Sequence, residues 1–375
     1  LRVLHIHPAF DAGGTSLRTA SLINAFGRGV EHAIVAAELG AYGAAEAIDR
    51  GIAITYPQSF PALTGIPTLG RLQRLAKAMR GQDLILTYGW GAMDAVMAHT
   101  LFGEFHGLPP LVHHEEGFGS ADVRARKRTR TWYRRIAFAR TSCVIVPSRR
   151  LETIARESWQ LPAGKVKRIP TGVDTAAYGR TAKPDALPRV IKRPGERWLG
   201  TLGALTQDKN LPRLVRAFAQ LPDEWQLVMV GEGPELEAIR DEALRLDAAH
   251  RVHLPGHVAD PAKIIGLFDL FALSSDGDDF PVPTVAAMAA GLAIVSANVG
   301  DVVEFVAEEN LPFIAASGDD AALASALLEL AADEVLRRRI GDANRRRAKA
   351  EFDAKKTVAA YRATYAQALR RQSFP

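Results

Sequence analysis

Leu270-Phe-Ala-Leu-Ser-Ser-Asp-Gly-Asp-Asp-Phe-Pro-Val-Pro-Thr-Val-Ala-Ala-Met-Ala-Ala-Gly-Leu-Ala-Ile-Val-Ser-Ala-Asn-Val-Gly-Asp-Val-Val-Glu-Phe-Val306 is the stretch that decides the fold. Its pattern predicts a buried strand over Leu267–Leu273, an acidic loop over Ser274–Pro281 and a short helix over Pro283–Ala290. A Gly stop at Gly291 and a second buried strand over Leu292–Ser296 follow. Pro283 in the first turn and Gly291 after the last are a helix's expected start and stop. Strand, helix and strand in this order make a βαβ unit of a parallel sheet, whose ligands gather beyond the carboxyl ends of the strands. The loop brings carboxylates to that end, and the helix start behind it offers free N–H groups to an anion.

The same alternation runs through the whole chain. Strands are expected at Val3–His7, His32–Ala37, Ile52–Tyr56, Asp83–Tyr88, Pro110–His114, Cys143–Pro147 and Val166–Pro170. A second series covers Trp198–Gly203, Trp225–Gly231, Val252–Gly256 and Phe313–Ala315. At 375 residues the chain is long enough for two domains, each with its own core. The expected boundaries are 1–178, a Pro- and Arg-rich linker 179–196, 197–353, and a final helix within 354–375. No run approaches the length of a membrane span. Residues 1–10 alternate like a first strand and are too short and polar for a signal peptide, and the start at Leu1 suggests a trimmed terminus. Cys143 is the one cysteine, inside an apolar run, which excludes an internal disulfide and suits a cytosolic protein.

Several clusters carry chemistry. Gly13-Gly14 lies between the first strand and a helix from about Ser16, where backbone amides approach an anion closely. Trp90, after Tyr88-Gly89, reads either as a packed cap over the sheet or as an aromatic wall. His113-His114-Glu115-Glu116 leaves a strand end together, a density that packing alone does not explain, since buried polar groups need partners. A metal site there lacks a second ligand cluster of recognisable spacing. Net charge is +5, and much of it lies in Arg124, Arg126, Lys127, Arg128, Arg130, Arg134, Arg135 and Arg140, with no acid among them. Trp132, Ile136 and Ala139 are expected to form the buried face of that helix. Its basic surface suits an anionic membrane or a phosphorylated acceptor; no recognition motif for nucleic acid accompanies it. The triplets Arg337–Arg339 and Arg345–Arg347 read as solvated helix faces.

The opening stretch resembles the C-terminal signature of family 4 glycosyltransferases, Ser-x-x-Glu-Gly-Phe-Pro, four residues, then Glu-Ala-Met-Ala-x-Gly. Aligned through Phe280-Pro281 and Ala287-Met288-Ala289-Ala290-Gly291, the first Glu falls on Asp278 and the second on Ala286. Further matches in order are Gly13-Gly14, His113-His114, Gly172-Val173-Asp174, Lys209, Gly231-Glu232-Gly233 and Val299-Gly300-Asp301, so the resemblance covers nearly the whole chain. It implies the GT-B fold: α/β, two facing doubly wound Rossmann-like domains with an interdomain cleft. It implies a retaining transfer from a nucleotide-sugar co-substrate to a glycan or polyprenyl-linked hydroxyl, with no metal required. The leaving diphosphate would meet Lys209, and the donor would touch Gly13, Gly14, Gly203, Gly231, Gly233, Asp278, Phe280, Pro281 and Val282. One of His113 and His114 would stand near the donor sugar, and Asp174 would cap or turn the chain. The family's cationic partner of Lys209, an Arg, falls on Ala204. With Ala286, this keeps open a second reading, a non-catalytic binding or scaffold relative; a third is a phosphorylase or epimerase on the same fold. The resemblance places the protein in the cytoplasm, peripheral on the inner membrane face.

Overall fold

The computed structural model describes residues 1–38, 40–117, 128–278 and 280–375. They form two compact units, Leu1–Pro170 with Val358–Pro375, and Thr171–Thr357.

The first unit is built on seven parallel strands: β1 (Arg2–His7), β2 (Glu31–Ala36), β3 (Ile54–Thr55), β4 (Leu84–Tyr88), β5 (Leu111–His114), β6 (Cys143–Val146) and β7 (Val166–Arg168), in the order β3-β2-β1-β4-β5-β6-β7. Both faces are covered, as an all-parallel sheet requires, which is why these strands read as near-continuous apolar runs. Leu4, Ile6, Ile85 and Val144 face the helices Leu69–Ala78, Met93–His106 and Arg149–Glu157. Val3, Leu84, Leu86 and Val112 point the other way, toward Phe26 and the Tyr361 and Tyr365 rings of the last helix, Ala354–Leu369.

The second unit repeats the plan with β8 (Arg197–Leu202), β9 (Trp225–Val230), β10 (Val252–Gly256), β11 (Leu270–Leu273), β12 (Ile294–Ala297) and β13 (Ile314–Ala315), ordered β10-β9-β8-β11-β12-β13. Strand order reverses between β1 and β4 in one sheet and between β8 and β11 in the other. In doubly wound sheets this reversal opens the ligand crevice.

The helix Val282–Ala290 is buried along Thr284–Ala289, and its alanines have a packing cause. It lies against the helix Glu334–Glu351, where a Cβ on Gly341 would stand 2.0 Å from the Gly291 carbonyl oxygen. Gly291 ends the first helix in the left-handed region, φ 82°, a conformation that favours glycine.

Several expectations are corrected. The strand expected from Leu267 starts at Leu270, because Asp269 turns its carboxylate to the Trp198 amide at 2.7 Å and to Lys192 at 2.6 Å. The basic helix, described over Arg128–Ala137, exposes Trp132 and Ile136 and buries Arg134 and Ala137 instead, and Ala139, in the turn beyond it, is exposed as well. Arg337 is buried rather than solvated: it donates to the Leu330 and Ala331 carbonyls at the end of the helix Asp320–Ala332 and lies 5.1 Å from the Trp225 ring. Arg338, Arg339, Arg345 and Arg346 are exposed as expected, and Arg345 and the half-buried Arg347 also donate to backbone carbonyls, of Ala290 and of Val306 and Glu304. A guanidinium finishing a helix's orphan carbonyls is the physical reason in each case. Asp174 caps the helix Thr175–Tyr178 through the Ala176 and Ala177 amides. The stretch 179–196 packs on the second unit, with Leu187 buried and Lys192 bound to the Leu267 carbonyl.

Candidate functional site

At the reversal between β8 and β11, two loops leave the strand ends side by side and are tied together. Lys209 Nζ lies 2.6 Å from Asp278 Oδ2. Asn210 donates to Asp276 at 3.0 Å, the Asp276 amide to the Asp208 carbonyl at 2.8 Å, and Ser274 Oγ to the Lys209 carbonyl at 2.9 Å. A pocket opens there, lined by Gly203, Ala204, Lys209, Ser274 and Ser275 among others. The structure therefore brings Gly203, Lys209 and Asp278 to one site. The expected cation and the shortened carboxylate form one ion pair, so neither stands ready as a free charge.

Gly231 and Gly233 belong to the same rim for a steric reason. A Cβ on Gly231 would stand 1.8 Å from the Gly203 carbonyl oxygen, and one on Gly233 2.2 Å from that of Leu205. The turn after β9 thus lies directly against the turn after β8, fixed by bonds from Leu205 N to Glu232 O and from Glu235 N to Leu205 O. Phe280 packs on Phe305 with centroids 5.3 Å apart, and Pro281 caps the helix that begins at Val282. Ala204 is exposed on the rim, whereas Ala286 is buried in the core. Among the described residues, two buried hydroxyls near this site, Ser275 Oγ after β11 and Thr284 Oγ1 in the first turn of the helix, have no hydrogen-bond partner. Sequence reasoning did not single them out; their one signal was a place inside the matched signature.

In the first unit, His113 and His114 lie on opposite faces of β5, both buried. His113 Nδ1 bonds Thr87 Oγ1 at 2.9 Å, and its Nε2 is 4.0 Å from Glu115. His114 Nδ1 bonds the Thr87 carbonyl at 3.1 Å and its Nε2 the Tyr365 hydroxyl at 2.8 Å. Burial holds both imidazoles below their ordinary pKa, so they are neutral near pH 7. Glu115 is buried and meets Arg134 at 2.9 Å. Burial pushes its carboxyl up, but Arg134 and His113 outweigh this and hold it below the usual carboxylate range. Arg134 in turn lies 4.8 Å from the Trp90 ring and 5.0 Å from that of Trp159. The pair explains why a guanidinium replaces Trp132 on the buried side of its helix: Glu115 needs a cation, and no apolar ring supplies one. Arg140 pairs with Glu104, so the acid-free basic run is compensated in part from elsewhere in the chain, while Glu116 pairs with Arg18, outside that run. Arg128 and Arg130 are described, Arg130 4.7 Å from Trp90; Arg124, Arg126 and Lys127 lie outside the described residues. Gly13 is the N-cap of the helix Gly14–Phe26, and its amide donates to Asp11 at 3.1 Å; a Cβ on Gly14 would meet nothing.

The largest feature missed in the sequence is a buried stack at the β1/β4 reversal. His7 lies on Tyr88 with centroids 3.8 Å apart, and Tyr88 lies on His114 at 4.5 Å. His5 bonds Tyr88 at 3.1 Å and His32 at 2.9 Å. Burial lowers the pKa of His5, takes His7 to about 3 and His32 to about 4. The alternation of His5 and His7 along one strand was the available signal. Among the described residues no group of three or more His, Cys, Asp or Glu could hold a metal, and no helix is long and apolar enough to cross a membrane.

Residues 12–177 match the model of Glycosyltransferase Family 4 and residues 185–347 that of Glycosyl transferases group 1. The chain belongs to the family 4 glycosyltransferases. N-acetyl-alpha-D-glucosaminyl L-malate synthase of Bacillus anthracis is 29% identical over 43% of this chain and 43% of its own length. The GDP-mannose-dependent alpha-mannosyltransferase of Mycolicibacterium smegmatis is 25% identical over 76% of this chain and 75% of its own. For several of these curated relatives, the chain spans less than half their length in the match. HepE of Anabaena, solved with UDP, superposes with TM-score 0.79 at 20% identity over 96% of this chain and 98% of its own. Sucrose-phosphate synthase of Thermosynechococcus elongatus does so with TM-score 0.76 at 21% identity over 98% and 99%. The two parallel sheets of this family 4 glycosyltransferase are thus those of the GT-B fold.

Proposed function

We propose that the protein is a retaining glycosyltransferase that moves a sugar from a nucleotide-sugar donor to a hydroxyl acceptor in surface-polysaccharide or lipid-linked glycan synthesis. The observation that carries this reading is the Lys209–Asp278 pair at the β8/β11 reversal, within 2.6 Å. Departure of a nucleoside diphosphate leaves growing negative charge on its phosphates and cationic character at the sugar carbon. A fixed ammonium and the amides at the start of the helix Val282–Ala290 meet the first demand. Asp278 orients Lys209. When a diphosphate binds, the ammonium can turn to it, and the freed carboxylate becomes an acceptor for sugar hydroxyls. Gly13-Gly14 and one of His113 and His114 remain candidates on the first unit, and Arg128 and Arg130 belong to a basic surface suited to anionic lipid on the cytoplasmic side. A second reading, a non-catalytic relative, is favoured by the exposed Ala204 and the buried Ala286, where the family signature carries charge.

Calorimetric titration with UDP, GDP and their sugar conjugates tests the reading. One of them should bind, and Lys209→Ala should weaken that binding about tenfold or more, the loss of a charge-assisted bond of roughly 1.5–3 kcal/mol. Absence of binding by all of them would favour the non-catalytic relative; unchanged affinity in Lys209→Ala would remove Lys209 from the site.

A further inference from the structure

A pocket of about 490 Å³ opens on the first unit at the amino ends of β5 and β6, where Pro110, Ser142 and Cys143 line it. His113, His114 and the Gly13-Gly14 turn stand at or beyond the carboxyl ends of strands of the same parallel sheet. Within this unit the pocket therefore lies at the opposite end of the sheet from those candidate residues.

Three cations line the pocket, Arg140, Lys167 and Arg370, and among the described residues no carboxylate does. Arg140 is paired with Glu104, an exposed acid on the helix Met93–His106. Lys167, half-buried on β7, and Arg370, just after the last helix, have no acidic partner among the described residues. The other titratable groups of the lining add no charge. His99 is tied to the Pro109 carbonyl at 2.9 Å, and burial lowers its pKa. Burial pushes the Cys143 thiol up to about 12. Two uncompensated cations thus share one cavity, a repulsion that an anion would relieve. Arg370 adds an independent observation. It has φ 54°, in the left-handed region, at the end of the helix Ala354–Leu369, where glycine is the usual residue. The fold keeps a long cationic side chain there instead.

Two cations match the nearly double negative charge of a phosphate monoester near pH 7. The volume is more than a phosphate alone needs and falls in the range of small-molecule sites, roughly 300–1,000 Å³. The rest of the lining suits a hydroxylated body better than a base. Ser142, Thr364 and Gln367 offer polar groups, and the one ring among the described lining residues, His99, is buried and already bonded. We propose that this pocket is an effector site for a sugar or polyol phosphate, whose phosphate is held by Lys167 and Arg370. Gln367 and Arg370 mark the end of the last helix, and Tyr365 on that helix bonds His114 at 2.8 Å. An occupant that fixes the helix end thereby acts on a candidate residue at the far end of β5.

The test uses the whole chain and calorimetric titration with glucose 6-phosphate, glycerol 3-phosphate, inorganic phosphate, glucose and AMP. One of the first two should bind at least about tenfold more tightly than each of the last three. Lys167→Gln and Arg370→Gly should each weaken that binding about tenfold or more, through loss of a charge-assisted hydrogen bond. Glycine suits the φ of position 370, so the second variant keeps its backbone. Gly164→Glu brings a carboxylate to the lining at a position where a Cβ meets nothing, and it should weaken binding as well. Lys209→Ala should leave it unchanged. Binding should also slow amide hydrogen exchange over residues 361–369. Absence of binding by both monoesters, or affinity no greater than that of inorganic phosphate, would overturn the proposal. So would unaltered binding in both Lys167→Gln and Arg370→Gly, its loss in Lys209→Ala, or binding that leaves the exchange of the last helix unchanged. Failure of the transferase reading shows separately, as a chain that binds the monoester but no nucleotide or sugar nucleotide.

Discussion

Removing the guanidinium of Arg134 should be among the most damaging single changes in the first unit. The side chain is 3% exposed and its partner Glu115 is 1% exposed. The two meet at 2.9 Å and 3.1 Å, and Arg134 also lies against Trp90 and Trp159. Arg134→Ala leaves a carboxylate buried without its cation, a change that typically costs about 3–5 kcal/mol, and it removes two cation–π contacts of roughly 0.5–2 kcal/mol each. Glu115 has an escape. It can take up a proton, which caps the penalty and makes the variant's stability rise toward acid relative to the parent. The expected loss at pH 7 is therefore about 4 kcal/mol, a large share of a domain's usual 5–15 kcal/mol. The pair Arg134→Met with Glu115→Gln should recover much of it, since an apolar stem replaces the guanidinium between the two rings and no charge is left alone. Urea unfolding followed by tryptophan fluorescence measures all three variants, with the first unit's transition read separately. A loss under about 1 kcal/mol in Arg134→Ala, or no recovery in the double variant, would refute the account of this ion pair as the reason for the arginine's burial.

The buried histidines make the first unit sensitive to acid. His7 and His32 have folded pKa values lowered to about 3 and about 4, against an ordinary 6.5. Above pH 6.5 both states are neutral and nothing is lost; below it the unfolded chain takes up protons that the folded one refuses, so stability falls with pH until the folded values are reached. Between pH 6.5 and 5 each such histidine costs about 2 kcal/mol, and His7→Gln should flatten the dependence measured by denaturant titration at several pH values. Ala286→Glu should lower the melting temperature without strengthening nucleotide binding, because position 286 is 3% exposed and packed within the core. Tighter binding with preserved stability would instead mean that the carboxylate reaches the donor, as the family signature implies.

The fold was legible because parallel sheets buried on both faces write themselves as apolar runs separated by turns. Pro283 and Gly291 fixed the helix after β11, and the approach of Gly341 to the Gly291 carbonyl shows how closely the helix Glu334–Glu351 packs on its end. At the candidate site, Lys209, Asp278 and Gly203 were proposed from their order along the chain, and the structure adds that the first two are paired. Periodicity failed where a side chain's length mattered more than its polarity. An amphipathic count puts Trp132 and Ile136 inside and every arginine outside. Arg134 reverses this because its stem packs like a hydrocarbon while its end reaches Glu115, nineteen residues earlier. Arg337 was misread for the same reason, its target being the carbonyl end of the preceding helix. The histidine stack escaped notice because its members come from β1, β2 and β5, and sequence separation conceals what strand order joins.

These failures have a common consequence. Each cation that turned inward was counted as surface charge, so the acid-free run from Arg124 looked uniformly available to an outside partner. Of its eight cations, Arg134 and Arg140 are tied to Glu115 and Glu104, while Arg135 donates to the Ser158 carbonyl. The apolar side chains displaced from the buried face are what the surface gained in exchange. Trp132 and Ile136 are exposed because Arg134 occupies the inward position. The buried ion pair and the exposed apolar face are two results of one helix rotation. Charge alone would make this surface an electrostatic anchor, lost when salt screens it over roughly 8–10 Å. Charge with exposed Trp and Ile retains an apolar contribution that salt does not screen.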